Sequence, residues 1–185
     1  MLTTQIHREL DSALDALIDQ EQIVAIFQNH SEWGPRALGN RSIMFDPRHP
    51  NAKQIVNEVK KREYYRPFAC TVMLEHAHDY FEMLQLPESP WMSFAIQCKP
   101  KALKDIPTLV HADNTCRIQT VTEEQNKNYY NLIKGFYERT GVPIIFNTSF
   151  NLGGESIVET VYDAIDTCNR SMTVSYTHLT LPTKA

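Results

Sequence analysis

Leu10, Leu14, Leu17 and Ile18 recur on one helical stripe while Asp11, Asp15 and Asp19 face away from it, so the chain opens on an amphipathic helix over 10–18. The next apolar run, Ile23 to Phe27, is short and β-branched and predicts a strand entering a polar segment, Gln28 to Arg48. Asn51 to Arg62 predicts a second helix with Ile55, Val56 and Val59 inward, and Phe68 to Leu74 a buried strand behind Pro67. Trp91 to Cys98 and Arg117 to Val121 supply two further strand candidates. Tyr129, Leu132, Ile133 and Phe136 mark the apolar face of a helix ending near Gly141, Val142 to Phe146 is a wholly apolar strand, and a last helix covers Val161 to Cys168. This alternation predicts an α/β or mixed α+β fold with polar groups gathered where strands end.

Composition narrows the class. With 185 residues, 42% hydrophobic and 22% charged, the chain can bury a core without metal or disulfide support, and no apolar run is long enough for a transmembrane helix. One domain is expected, with no membrane partner. The formal net charge of −4 argues against a general nucleic-acid surface. That charge is unevenly spread: from Arg36 to Arg66 stand eight basic and three acidic residues, a local +5 against −9 for the rest. A basic stretch inside an acidic chain suggests a focused anion site, although a solvated helix face gives the same count. Cys70, Cys98, Cys116 and Cys168 show no C-x-x-C spacing, and no secretory signal opens the chain, which reads as a reduced, cytoplasmic protein. His76 and His78, two apart, diverge on a helix, so no metal site is expected there.

The candidate chemistry clusters. GPRALGNRS, Gly34 to Ser42, combines two glycines, a proline, Arg36 and Arg41. Glycine lets backbone N–H groups approach a ligand, and a guanidinium forks onto phosphate or carboxylate oxygens. The order of a Walker A loop or a Rossmann turn is absent. Lys60, Arg62 and Arg66 follow at the end of the second helix. Lys60 and Arg62 splay apart on a regular helix, so their joint use requires the helix to end there, and Pro67 biases Arg66 towards extended backbone. Arg117 begins a strand-like segment; Asn147, Thr148, Ser149 and Asn151 close a buried one. Together these groups supply many cations and donors and few nucleophiles, which suits charge stabilisation and in-line displacement. A Ser149 nucleophile would need a base, for which His111 is the one attractive partner.

GPRALGNRS, VKKREYYRPF, HADNTCRIQTV and TGVPIIFNTSFNLGGESIV, in this order over Ile23 to Cys168, resemble the C-terminal domain of the O-carbamoyltransferases of nodulation-factor and antibiotic biosynthesis. The resemblance implies a YrdC-like fold, a twisted mixed sheet flanked by helices, with Lys60-Lys61-Arg62 and Ser149-Phe150-Asn151 similar to its K-x-R and S-x-N signature. It implies carbamoyl phosphate and ATP with Mg2+ as ligands and activation of the carbamoyl group as carbamoyl adenylate. Lys60, Arg66 and Arg117 would be catalytic; Arg36, Arg41, Arg62, Asn147, Thr148, Ser149 and Asn151 would bind substrate and nucleotide. Transfer to an acceptor hydroxyl is implied in an N-terminal domain of the actin/Hsp70-like superfold with its own Fe2+ site. That domain is missing here, so complete transfer by this chain alone is not expected. Ala112, Cys70 and Cys116 depart from the family pattern and read as packing positions.

Two other readings stand beside this one. YrdC-like folds also serve as nucleotide- or RNA-binding modules, which the net charge disfavours, and a fragment with an exposed domain interface would self-associate, leaving a homodimer open. The tail 174–185, VSYTHLTLPTKA, continues neither the last helical period nor a capping pattern and resembles a translated sequencing adapter. Native sequence is therefore expected over 1–173, as one domain.

Overall fold

A computed structural model describes residues 6–7, 10–32, 34–171 and 174–178. In chain order the elements are β1 (Ile6–His7), α1 (Leu10–Ile18), β2 (Val24–Gln28), β3 (Arg41–Phe45), α2 (Ala52–Val59), β4 (Ala69–Met73), α3 (Ala77–Tyr80), β5 (Phe94–Gln97), α4 (Pro100–Asp105), β6 (Thr115–Val121), α5 (Lys127–Thr140), β7 (Ile144–Ser149), α6 (Val161–Ser171) and β8 (Val174–His178). The strands form one mixed sheet in the order β1-β8-β2-β3-β7-β4-β6-β5. Strand β7 lies antiparallel between β3 and β4, and β4 pairs parallel with β6. The expected α/β architecture is present. Of the tail set apart on sequence character, the backbone of 174–178 pairs parallel with β1 and β2, and 179–185 lie outside the described residues.

Every residue of β2, β3 and β4 is buried, which explains their near-continuous apolar character. Helix α1 packs on α5, and the polar stripe meets a partner: Arg139 donates to Asp15 Oδ1 at 2.8 Å and Asp19 Oδ2 at 2.9 Å. Helix α5 starts where the Asn126 side chain accepts from Tyr129 N at 3.2 Å, and it buries Tyr129, Leu132, Ile133 and Phe136 as the period requires. All four cysteines are free and buried; Cys70 Sγ and Cys116 Sγ lie 3.6 Å apart on adjacent strands, and burial pushes the Cys70 thiol up. No helix among the described residues is long and apolar enough to cross a membrane.

Strands β1 and β3 and helices α3 and α4 are not expected from the sequence, and β8 falls in the tail set apart; of these, β3 bears on the site. The segment 28–48, read as polar, contains β3. Its apolar core is only Ile43-Met44-Phe45, and it opens on Arg41, a residue whose charge normally argues against a buried strand. Here the Arg41 guanidinium donates to the carbonyls of Gln28 and Asn40 and stacks on Phe27 at 3.6 Å, which offsets its burial.

The loop before β3 is seated by two contacts. Glu32 Oε1 accepts from the backbone nitrogens of Leu38, Asn40 and Arg41 at 2.8–3.2 Å. Gly39, at φ +106°, lies against the Tyr129 ring, where an added Cβ would stand 2.2 Å from a ring carbon. Gly39→Ala combines a left-handed backbone with this overlap against a fully buried ring, and is expected to lower stability by about 1–3 kcal/mol. Urea denaturation measures this, and an unchanged midpoint would show that the loop is not seated on Tyr129.

Candidate functional site

Strand β7 ends at Ser149, beside the end of α2, and the two are joined by a buried ammonium. Helix α2 stops at Val59; Lys60 caps it and Lys61 adopts φ +51°, which turns the chain so that Lys60 and Arg62 leave in usable directions. Lys60 is 2% exposed, and its Nζ donates to Ser149 O at 2.6 Å, Asn151 Oδ1 at 2.8 Å and Asn151 O at 2.9 Å. Three acceptors match the three protons of an ammonium. Ser149 Oγ donates to Asn151 Oδ1 at 2.7 Å, so lysine, serine and asparagine form one connected group. Gly153 N closes the turn on Lys60 O at 2.6 Å, and a Cβ at Gly153 would meet that oxygen at 2.9 Å, so the approach requires glycine. Burial, with Arg62 adding, pulls the Lys60 ammonium down to about 7.

Next to this clasp is a cavity of about 110 Å³ whose walls include Arg36, Arg62, Arg117, Asn147, Thr148 and Ser149, with Phe68 and Met92 as apolar sides. No carboxylate lines it. Arg62 stacks on Phe68 at 4.2 Å and donates from Nε to Asn57 Oδ1 at 2.7 Å; Asn57 is itself oriented by donating to Tyr64 O at 3.1 Å. Burial first, then the charges of Arg66 and Arg117, push Arg62 down to about 10. Burial and Arg36 likewise hold Arg117 below the ordinary arginine value. Arg62 Nη2 and Arg117 Nε are buried without a protein hydrogen-bond acceptor. Converging cations with unfilled donors and no counter-charge have the chemistry to hold an anion.

The cavity and its clasp gather eight of the ten residues expected from sequence: six are in the wall, and Lys60 joins through its bond to Ser149. Asn151 joins through Lys60 and Ser149. Two residues fall elsewhere. The guanidinium of Arg41 is committed to Gln28, Asn40 and Phe27, away from the cavity wall. Arg66 is about half exposed and paired with Glu63 at 2.7 Å, so it contributes field at Arg62 rather than a wall of the cavity. His111 sits against Thr115 Oγ1 at 3.1 Å and Phe68 O at 3.4 Å and does not reach Ser149. Larger clefts of about 450 and 440 Å³ exist, but the first offers only Lys53 and Arg62 as cations and the second is lined by Glu32 and Glu88. Among the described residues no group of three or more His, Cys, Asp or Glu is arranged to hold a metal ion.

Sequence reasoning missed the support behind the cavity. Asn147 Nδ2 donates to Thr71 Oγ1 at 2.9 Å, Ala37 O at 3.1 Å and Gln119 Oε1 at 3.2 Å, and Tyr129 Oη donates to Thr71 Oγ1 at 3.0 Å. The available signal was the period of two on β6, which puts Gln119 on the same face as Arg117.

The mixed sheet and its flanking helices have a YrdC-like fold. HypF in its phosphate- and nucleotide-bound form superposes with a TM-score of 0.64 over 91% of this chain and 24% of that one, at 19% identity. Sua5 of P. abyssi, complexed with L-threonine, gives 0.61 over 94% and 48%, at 13% identity. The chain belongs to the family described as "Carbamoyltransferase C-terminus", whose profile matches residues 15–180. Nodulation protein NolNO of Sinorhizobium fredii is 45% identical over 150 residues, 78% of this chain and 22% of that protein. The chain thus spans about a fifth of that relative's length.

A buried lysine whose ammonium is pulled down to about 7 leaves a pH signature. Between pH 7 and about 10.5 the unfolded chain holds the Lys60 proton and the native chain sheds it, so stability rises with pH across this window, and below pH 7 the full burial penalty applies. Relative to Lys60→Met, the wild type is expected to gain stability from pH 7 to pH 10 in denaturant titrations. A difference that stays flat with pH would show that Lys60 titrates normally.

Proposed function

We propose that this domain binds carbamoyl phosphate and ATP and forms carbamoyl adenylate for transfer to a hydroxyl acceptor, the transfer step using a further domain of the kind its longer relatives have room for. The observation that carries the reading is the set of three arginines, Arg36, Arg62 and Arg117, converging with Ser149 on a cavity without a carboxylate. Its volume of about 110 Å³ suits a small phosphorylated group rather than a whole nucleotide, so the rest of ATP would extend outside it. Family membership supports carbamoyl chemistry, and the phosphate and nucleotide held by HypF support the ligand class.

The balance of the reaction defines what the residues must do. Carbamoyl adenylate formed from carbamoyl phosphate and ATP releases phosphate and pyrophosphate and consumes one water. Each phosphoryl or acyl departure spreads negative charge over oxygens. A fixed guanidinium stabilises such charge without reorganising, and that of Arg62 is already set by Phe68 and Asn57. Arg36 and Arg117 would hold the phosphate of carbamoyl phosphate, and Arg62 would reach the developing charge from the Phe68 side. Ser149 Oγ, whose own proton is given to Asn151, offers its lone pairs to a ligand donor, and Lys60 keeps that hydroxyl in place. Mg2+ would enter with ATP as part of the substrate.

Ligand-dependent thermal unfolding tests the reading, because a ligand that binds only the native state raises apparent stability by about 2.7 kcal/mol at a hundred times its dissociation constant. Carbamoyl phosphate is expected to raise the midpoint, Arg117→Ala to abolish the shift, and ATP to release pyrophosphate only when carbamoyl phosphate is present. No shift at millimolar carbamoyl phosphate would overturn the proposal.

A further inference from the structure

Besides Ser149 Oγ, the wall of the cavity contains a second group of the wrong polarity for an anion. Asn147 is fully buried in its wall, and its Oδ1 is buried with no hydrogen-bond donor in the protein. Leaving such an acceptor unfilled is costly, and Gln22 Oε1 and Gln28 Oε1 are unfilled elsewhere, but Asn147 is the one of the three that belongs to the cavity wall, where a bound molecule can supply the donor. The orientation of this amide is dictated by its surroundings. Nδ2 faces three acceptors, of which Ala37 O can only accept, and Gln119 Oε1 is fixed as an oxygen because the other arm of that amide, Nε2, donates to Leu38 O at 3.0 Å. Thr71 Oγ1 gives its proton to Gln119 Oε1 at 2.8 Å, so it too accepts from Asn147. A flipped amide would set its oxygen against Ala37 O and Gln119 Oε1 and could be met only by taking the Thr71 proton away from Gln119 Oε1.

The two orphaned donors, Arg62 Nη2 and Arg117 Nε, call for an anion, and the orphaned acceptor calls for an N–H. A carbamoyl phosphate carries both: phosphoryl oxygens for the guanidinium groups and an amide NH2 for Asn147 Oδ1. Acetyl phosphate has the same shape with a methyl in place of NH2 and, as a dianion, no O–H either. We infer that Asn147 Oδ1 reads the NH2 of the carbamoyl group and makes this cavity selective for carbamoyl over other acyl phosphates. This rests on the reading of the cavity given above. The Tyr129–Thr71–Gln119 network behind Asn147 is then a positioning device that keeps the amide oxygen turned to the ligand.

Calorimetric titration of the wild-type chain at pH 8 with carbamoyl phosphate and, separately, with acetyl phosphate tests the inference. Carbamoyl phosphate is expected to bind about 10- to 100-fold more tightly, the range for leaving a buried acceptor unpaired. In Asn147→Ala the ratio is expected to fall to about one while phosphate-dependent binding persists, whereas a purely structural role would weaken both ligands together and leave the ratio intact. Equal wild-type affinities would overturn the inference while leaving the carbamoyl phosphate reading standing. Failure of both ligands to bind would remove that reading, and this inference with it. If the alanine variant does not fold, the wild-type comparison decides alone.

Discussion

A single buried ammonium ties together the two chain segments that build the site. Lys60 sits at the end of α2, and its three close acceptors belong to Ser149 and Asn151, about ninety residues further along the chain. Two of those acceptors are main-chain carbonyls where β7 stops being a strand, and Ser149 O also accepts from Asn151 N at 3.1 Å. The lysine therefore does what the next residue of a strand would have done, while freeing the loop to turn through Gly153 and bring Ser149 to the cavity. Such a contact contributes modest net stability, because removing an ammonium from water costs several kcal/mol and its hydrogen bonds return a similar amount. Its consequence is geometric: with the ammonium in place, Ser149 and Asn151 have one arrangement, and the wall of the cavity has one shape.

The arginines show the opposite balance. Arg62 is pushed down by burial and then by the charges of Arg66 and Arg117, and Arg117 by burial and then by Arg36, so the free protein holds charge that its own structure does not neutralise. A folded domain accepts this only where something else recovers the cost. Phe68 recovers part by presenting its ring face to Arg62, and Asn57 fixes Nε. The rest is recovered when an anion arrives, which is the physical meaning of a preorganised site: the work of assembling the charges is done during folding and not during the reaction.

Much of this was legible in the sequence because hydrophobic period and chemistry agree there. The apolar stripe of α5, the β-branched run of β2 and the apolar strand before Asn147 each specify an element whose end carries a polar residue, so the cavity residues on β6 and β7 could be named without coordinates. Strand β3 was not legible, since Arg41 at its start is charged and the offsetting carbonyls of Gln28 and Asn40 lie on another strand and in a loop. The network of Thr71, Gln119 and Tyr129 was equally out of reach: each is an ordinary strand or helix residue locally, and its role exists only because β4, β6, β7 and α5 meet at one point.

The fate of five arginines makes the same point more sharply. Arg36, Arg41, Arg62, Arg66 and Arg117 are chemically identical, and four of them fall in one basic stretch. What separates them is the nearest source of negative charge. Arg66 has Glu63 three residues back, and in an exposed position that pair leaves it outside the wall. Arg41 is buried among carbonyls and an aromatic face, which engage its Nη1 and ring-facing plane and hold it away from the cavity, although its Nε is left without a partner. Arg36, Arg62 and Arg117 border a cavity from which carboxylates are absent. A local excess of positive charge is thus a poor guide to an anion site until the neutralised members are subtracted, and the subtraction depends on contacts that only the folded chain provides. Here it leaves a triad drawn from three separate segments, which the sheet brings together at the end of β7.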